Sequence, residues 1–201
     1  PDYPALMELY YATNGPGWTN RTNWLVSGQP ISNWHGVSTN ANGCVDTLHL
    51  GSNNLTGLLP PELGNLSQLK LLNLSINNLS GGIPSSLGQL SQLELMNLSL
   101  NRLRGNLPSE LGQLTQMRQF YCNQNDSLYG PIPASLAQWT LIEIINLSLN
   151  YFSGTIPTYI QNWHNLRRCF FNNNRFSGGI PVYFGQLSQL ERLNLSINQL
   201  T

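Results

Sequence analysis

The residues best equipped for chemistry in this 201-residue chain are asparagines, histidines and cysteines, and each type points to a different reaction. Nine Asn-x-Ser/Thr tripeptides begin at Asn20, Asn54, Asn65, Asn73, Asn78, Asn97, Asn125, Asn146 and Asn194. Each places a hydroxyl two residues past the amide, as N-linked glycosylation requires. His35, His49 and His164 stand far apart, with no carboxylate or second ligand at metal-binding spacing, and read as surface or cap hydrogen-bonding groups. Cys44, Cys122 and Cys169 are odd in number and form no C-x-x-C pair, so zinc-ribbon, thioredoxin-like and disulfide-framework readings fail. Cys122 and Cys169 suit small buried apolar positions, whereas Cys44 is either free or paired with another chain. There is no G-x-S-x-G elbow, phosphate loop or paired acid in a plausible cleft, and Glu62, Glu94, Glu110, Glu143 and Glu191 are scattered. A non-enzyme with neither metal nor cofactor is expected.

Composition narrows the partners. Only 9% of residues are charged, against a usual figure of about 25%, and Lys70 is the only lysine. With zero formal net charge the chain has no electrostatic footprint for nucleic acid or an anionic membrane. No apolar run approaches the roughly 18 residues that would insert directly into a bilayer. The start at Pro1 fits either a removed signal peptide or a truncated chain.

The elements that position these residues recur. Units start near Thr47, Leu71, Leu95, Gln119, Ile144, Arg168 and Arg192, with a period of 24 and a single 25. Each opens on an alternating apolar pair, such as Leu72/Leu74, Phe120/Cys122 or Cys169/Phe171, which predicts a short strand with one buried face. Three residues later comes an asparagine every time: Asn53, Asn77, Asn101, Asn125, Asn150, Asn174 and Asn198. An amide donates twice and accepts, so a stack of them can satisfy backbone groups left over where each coil turns. Then come an apolar residue, a glycine for a tight bend, and Leu or Ile followed by a proline that ends ladder pairing, as in Leu79 to Pro84. The remainder, as in Ser85 to Leu93, has apolar spacing of a short helical turn. Trp139 and Trp163 take core places filled elsewhere by Leu90 and Leu114.

These residues resemble the plant-type leucine-rich repeat, L-x-x-L-x-L-x-x-N-x-L-x-G-x-I-P-x-x-L-G-x-L, over roughly Val45 to Thr201. The segment with Leu6, Leu9, Trp18, Trp24 and Trp34-His35-Gly36-Val37 is similar to the N-terminal cap of such proteins. Plant receptor caps flank that last segment with paired cysteines, and here Ser32 and Ser38 stand there, which is closer to bacterial and protist members. The resemblance implies an α/β leucine-rich-repeat solenoid, a curved right-handed superhelix. Its parallel β-sheet lines the concave face, short helical or 3-10 turns form the convex face, and a helical cap comes first. The expected division is a cap over 1–46 and repeats over 47–201, about six full and a partial seventh. The sequence stops in mid-repeat at Thr201, which predicts further chain or a covering molecule.

In such a solenoid the central concave column is His49, Asn73, Asn97, Tyr121, Asn146, Phe170 and Asn194. A stripe of Leu71, Ile76, Leu95, Leu100, Ile144 and Leu149 is expected to be exposed beside it. Tyr121, Phe170, Arg168, Gln119, Gln124, Asn173 and His49 form the candidate ligand-binding set, because aromatics and arginine dominate binding hot spots and amides orient a sugar or peptide. The glycosylation candidates are Asn20, Asn54, Asn65, Asn73, Asn78, Asn97, Asn146 and Asn194; Asn125 is excluded because a ladder amide is buried. Glycans on the concave asparagines would cover the recognition set. The reading is an extracellular, secreted or cell-surface recognition module whose partner is a protein, peptide or glycan. The alternatives are a glycosylated structural protein of a wall, coat or fibril, self-associating head to tail through its open C-terminal end, and, more weakly, an ice-binding protein.

Overall fold

The computed structural model describes residues 2–125 and 127–201. The cap is built on one α-helix, Tyr3–Ala12. Its apolar residues Ala5, Leu6, Leu9 and Tyr10 recur at helical spacing and are buried. The helix stops at Thr13, whose hydroxyl donates to the Leu9 carbonyl at 2.6 Å. The carboxylate of Asp2, itself buried, accepts from the Val45 N–H at 2.6 Å and ties the helix start to the first long strand. Tyr10, Trp18, Trp24 and Trp34 fill the space between, with neighbouring rings 4.7 to 6.0 Å apart.

After the cap, each unit makes one coil with three sides. The first side is an eight-stranded sheet. Val37–Thr39 runs antiparallel to Val45–His49, and then Leu71–Asn73, Leu95–Asn97, Gln119–Tyr121, Ile144–Asn146, Arg168–Phe170 and Arg192–Asn194 follow in parallel register. The expected inward residues from Leu48 to Phe171, among them Leu72, Met96, Phe120, Ile145 and Cys169, are fully buried, whereas Leu193 in the last strand is exposed. The third side is a stack of 3-10 turns from Pro61–Asn65 to Val182–Gln186, each preceded by a proline. This is the expected solenoid.

The second side differs from the sequence reading. The apolar-x-Gly segment, read as a bend, forms a second parallel sheet of seven strands: Thr56–Leu58, Asn78–Gly81, Arg102–Gly105, Ser127–Gly130, Tyr151–Thr155, Arg175–Gly178 and Gln199–Leu200. Only one residue per coil, such as Leu79, Leu103 or Phe152, points fully inward there, so the alternation is too short to announce a strand. The lateral sheet is set at an angle by the corner between the two sheets. Ser52, Ile76, Leu100, Gln124, Leu149, Asn173 and Ile197 all occupy that corner with φ of 54 to 57°, a left-handed conformation that β-branched residues rarely adopt.

The asparagine ladder secures the corner. Asn77 Oδ1 accepts from the N–H groups of Asn53 (3.1 Å) and Leu55 (2.9 Å), while its Nδ2 donates to the carbonyls of Leu50 and Leu74 at 2.9 Å each. Asn101, Asn125, Asn150, Asn174 and Asn198 bond alike, each to its own coil and the preceding one. Asn53, next to the cap, bonds instead to the backbone of Asn20 at 2.6 and 2.9 Å.

Candidate functional site

Strand register decides what faces the concave side. His49, Asn73, Asn97, Tyr121, Asn146, Phe170 and Asn194 are successive partners across the eight-stranded sheet, as expected. Tyr121 therefore sits between Asn97 and Asn146, and Phe170 between Asn146 and Asn194. The four asparagines share one conformation: the side-chain oxygen accepts from the N–H and hydroxyl of the serine two residues on, at 3.1 and 2.7 to 2.8 Å, for Ser75, Ser99, Ser148 and Ser196. That fixes the oxygen against the backbone and turns Nδ2, the atom that would carry a glycan, away from it. At Asn73 this nitrogen lies 3.5 Å from Nε2 of His49.

Tyr121 and Gln119 form a unit, with the phenol donating to Gln119 Oε1 at 3.1 Å. Burial raises the Tyr121 pKa, and the Arg168 guanidinium opposes that rise. Arg168 is exposed and engaged only loosely, 3.7 Å from Glu191, so it stays available to a ligand. The structure brings Tyr121, Gln119, Phe170 and Arg168 onto one face. Gln124 and Asn173 are not part of the strand face. They stand at the left-handed corner, with Asn173 Oδ1 accepting from Asn172 Nδ2 at 2.9 Å. His49 lies at the cap end of the column, three strands from Tyr121.

The expected apolar stripe divides in two. Leu71, Leu95 and Ile144 lie at one edge of the concave sheet and are only half-exposed. Lys70, Glu94 and Arg118 border Leu71 and Leu95 in an open groove of about 340 Å³, their stems shielding the leucines. Ile76, Leu100 and Leu149 crown the opposite corner and are exposed. The stripe fails because the corner residues follow a turn out of the sheet.

The remaining asparagines are placed as follows. Asn20 and Asn65 are exposed, the first with its oxygen held by Thr22. Asn54 donates to Gly17 O at 2.9 Å, and the half-buried Asn78 reaches Asn54 at 3.4 Å. Asn125 is buried with its nitrogen bonded to Leu98 O and Cys122 O, leaving no acceptor for a glycan. Cys122 and Cys169 are fully buried, Cys44 is half-buried, and all three are free. Among the described residues, no cluster of three metal-ligating side chains occurs, and no helix is long and apolar enough to cross a membrane.

The repeat geometry has a counterpart in known proteins. The Leucine Rich Repeat family profile matches residues 44–66, 68–90, 92–114, 141–163 and 165–187, more than half of the chain. The chain belongs to the leucine-rich-repeat family. No curated protein matches significantly. Among solved structures, the repeat protein is similar to the plant peptide hormone receptor RGFR1 in complex with RGF2, with 37% identity and a TM-score of 0.74 over 76% of this chain and 24% of that one. It is similar over its full length to the ectodomain of the Arabidopsis thaliana membrane receptor kinase GASSHO1/SCHENGEN3 in complex with CASPARIAN STRIP INTEGRITY FACTOR 2, at 29% identity and a TM-score of 0.81. It spans 27% of that ectodomain. A plant ice-binding protein shares the fold at 22% identity and a TM-score of 0.60, over 99% of this chain and 86% of that one.

Sequence reasoning missed the outward residues of the leucine-rich-repeat protein's lateral sheet, Arg102, Arg104, Tyr129, Tyr151 and Arg175. A signal existed in the repeated x-Leu-x-Gly of Asn78–Gly81 and Arg102–Gly105. The glycine of that pattern reads as a tight bend, whereas in Asn78–Gly81 and Arg102–Gly105 it is the last residue of a strand.

Proposed function

We propose that the protein is a non-catalytic extracellular recognition module, secreted or at a cell surface, that holds an extended peptide against its concave sheet. One observation carries the reading: Tyr121 and Phe170 stand in one register column, two strands apart, with Gln119 and Arg168 in the next column over. Aromatic anchors with a guanidinium beside them are the side chains on which binding energy concentrates. The two receptor structures named above hold a peptide hormone and an integrity factor, which supports a peptide over a sugar. We further assign the repeats to the L-x-G-x-I-P subtype, place the cap in residues 1–46 and the repeats in 47–201, and relate the cap to bacterial and protist members, since Ser32 and Ser38 replace its cysteines.

Selection of a phage-displayed peptide library on the immobilised 201-residue chain tests the concave site. Enriched peptides should lose about tenfold or more in affinity when Tyr121→Ala and Phe170→Ala are combined. Equal binding to that double variant would sink the proposal.

A second reading rests on the same column, since both aromatics lie between sequon asparagines. If Asn97, Asn146 and Asn194 carry glycans, the concave face is coated and the protein is a structural glycoprotein. Mass spectrometry of glycopeptides from chain secreted by eukaryotic cells separates the two: bare asparagines support peptide capture, and full occupancy overturns it.

A further inference from the structure

The lateral sheet presents a second set of outward side chains, none shared with the concave patch. Arg102, Arg104, Tyr129, Tyr151 and Arg175 lie on four consecutive strands, and all five are exposed. Tyr129 and Tyr151 are register partners. The Arg175 guanidinium sits 4.6 Å above the Tyr151 ring. At a strand spacing of about 4.8 Å, the run from Arg102 to Arg175 extends about 14 Å.

Charge distribution sets this face apart. Arg118 is paired with Glu94 and Glu143, and Arg167 and Arg168 with Glu191. Among the described residues no carboxylate pairs with Arg102, Arg104 or Arg175. A chain of zero formal net charge thus gathers three guanidiniums, none with a carboxylate partner among the described residues, beside two aromatic rings. Guanidinium forks match carboxylate and sulfate oxygens, while a phenol ring offers an apolar face and a polar tip to a sugar ring.

The form of the surface favours a polysaccharide over an acidic peptide. The four strands are hydrogen-bonded on both sides, so no backbone edge is open for an added peptide strand. Corner grooves of about 350 and 320 Å³ are bordered by Arg102 and by Tyr151 respectively, and give a long chain a path onto the sheet. The strands carry no sequon acceptor, the nearest on this sheet being Asn78, one strand away. Glycans on the concave asparagines would leave this face bare.

We propose that the lateral face binds an acidic polysaccharide, uronate-bearing or sulfated, laid across the strands with its acid groups on the arginines and its sugar rings on Tyr129 and Tyr151. The test is fluorescence anisotropy of labelled alginate, heparin, neutral dextran and poly-glutamate titrated with the 201-residue chain. Alginate or heparin should bind and dextran should not. Combining Arg102→Gln, Arg104→Gln and Arg175→Gln should weaken binding about tenfold or more. Tyr129→Ala with Tyr151→Ala, which leaves the charge untouched and serves if the arginine variant misfolds, should weaken it about fivefold or more. A control that removes equal charge elsewhere, through Arg21→Gln, Lys70→Gln and Arg192→Gln, should leave it within about twofold. The proposal is overturned if neither polyanion binds, if the control loses as much as the lateral variant, or if poly-glutamate binds as tightly as the polysaccharides.

Discussion

At the scale of single residues, the ladder asparagines and the corner residues pull stability in opposite directions. Asn101 is buried and bonds to Leu79 N–H and to the carbonyls of Leu74, Leu98 and Ser99 at 3.0 to 3.2 Å. Asn101→Ala would strand those groups, and denaturant unfolding should show a loss of about 3 kcal/mol or more. Ile76, by contrast, is exposed and held at φ 56°. Replacing it with asparagine, which tolerates that conformation, should raise stability by about 1 kcal/mol in the same measurement. Burial alone pushes the Cys122 and Cys169 thiols far above their ordinary range. A maleimide reagent at mildly alkaline pH should therefore label Cys44 in the folded chain and reach the other two only on unfolding. The sign of the linkage is fixed as well: the thiols are neutral when folded and ionise readily only when unfolded. Their contribution is full below about pH 9 and is lost as pH rises above it. The ladder was legible because asparagine recurs at every turn, whereas the corner was not, since Ile76 and Leu100 carry no glycine-like mark of positive φ.

At the scale of elements, the spacing between coils is set by small residues on the convex side. A Cβ at Gly64, Gly88 or Gly112 would fall far inside contact with the backbone of Ser86, Glu110 or Ser135 on the next turn. Gly88→Ala should accordingly cost about 2 kcal/mol, read as a lowered denaturation midpoint. The later coils are built differently: where the sequence has Ala137 and Gln161 in place of this glycine, Trp139 and Trp163 replace the following leucine. Their indole nitrogens donate to Leu111 O and Leu136 O at 2.9 and 3.1 Å, bridging to the coil before. The concave strands and 3-10 turns were readable from periods of two and three. The lateral sheet was not, because its pairing depends on neighbouring coils lying in register rather than on any pattern within one coil.

At the scale of the whole molecule, two broad faces meet along one ridge. The concave column holds Tyr121 and Phe170 among the sequon asparagines Asn73, Asn97, Asn146 and Asn194, and the four lateral strands from Arg102 to Gly178 gather arginine and tyrosine with no sequon asparagine on them. Occupation of one therefore need not obstruct the other. Of the seven residues expected to form the concave site, four converge on one face, two belong to the ridge and one lies at the cap, because sequence columns give register but not the direction in which a turn leaves the sheet. Each ladder asparagine from Asn77 onward reaches only its own coil and the one before it, so nothing in the bonding specifies how many coils there must be. Copying residues 71–94 in place would preserve every bond type and lengthen the stack by about 4.8 Å. The coil is thus a unit of length, and the molecule a ruler graduated in steps of one strand spacing.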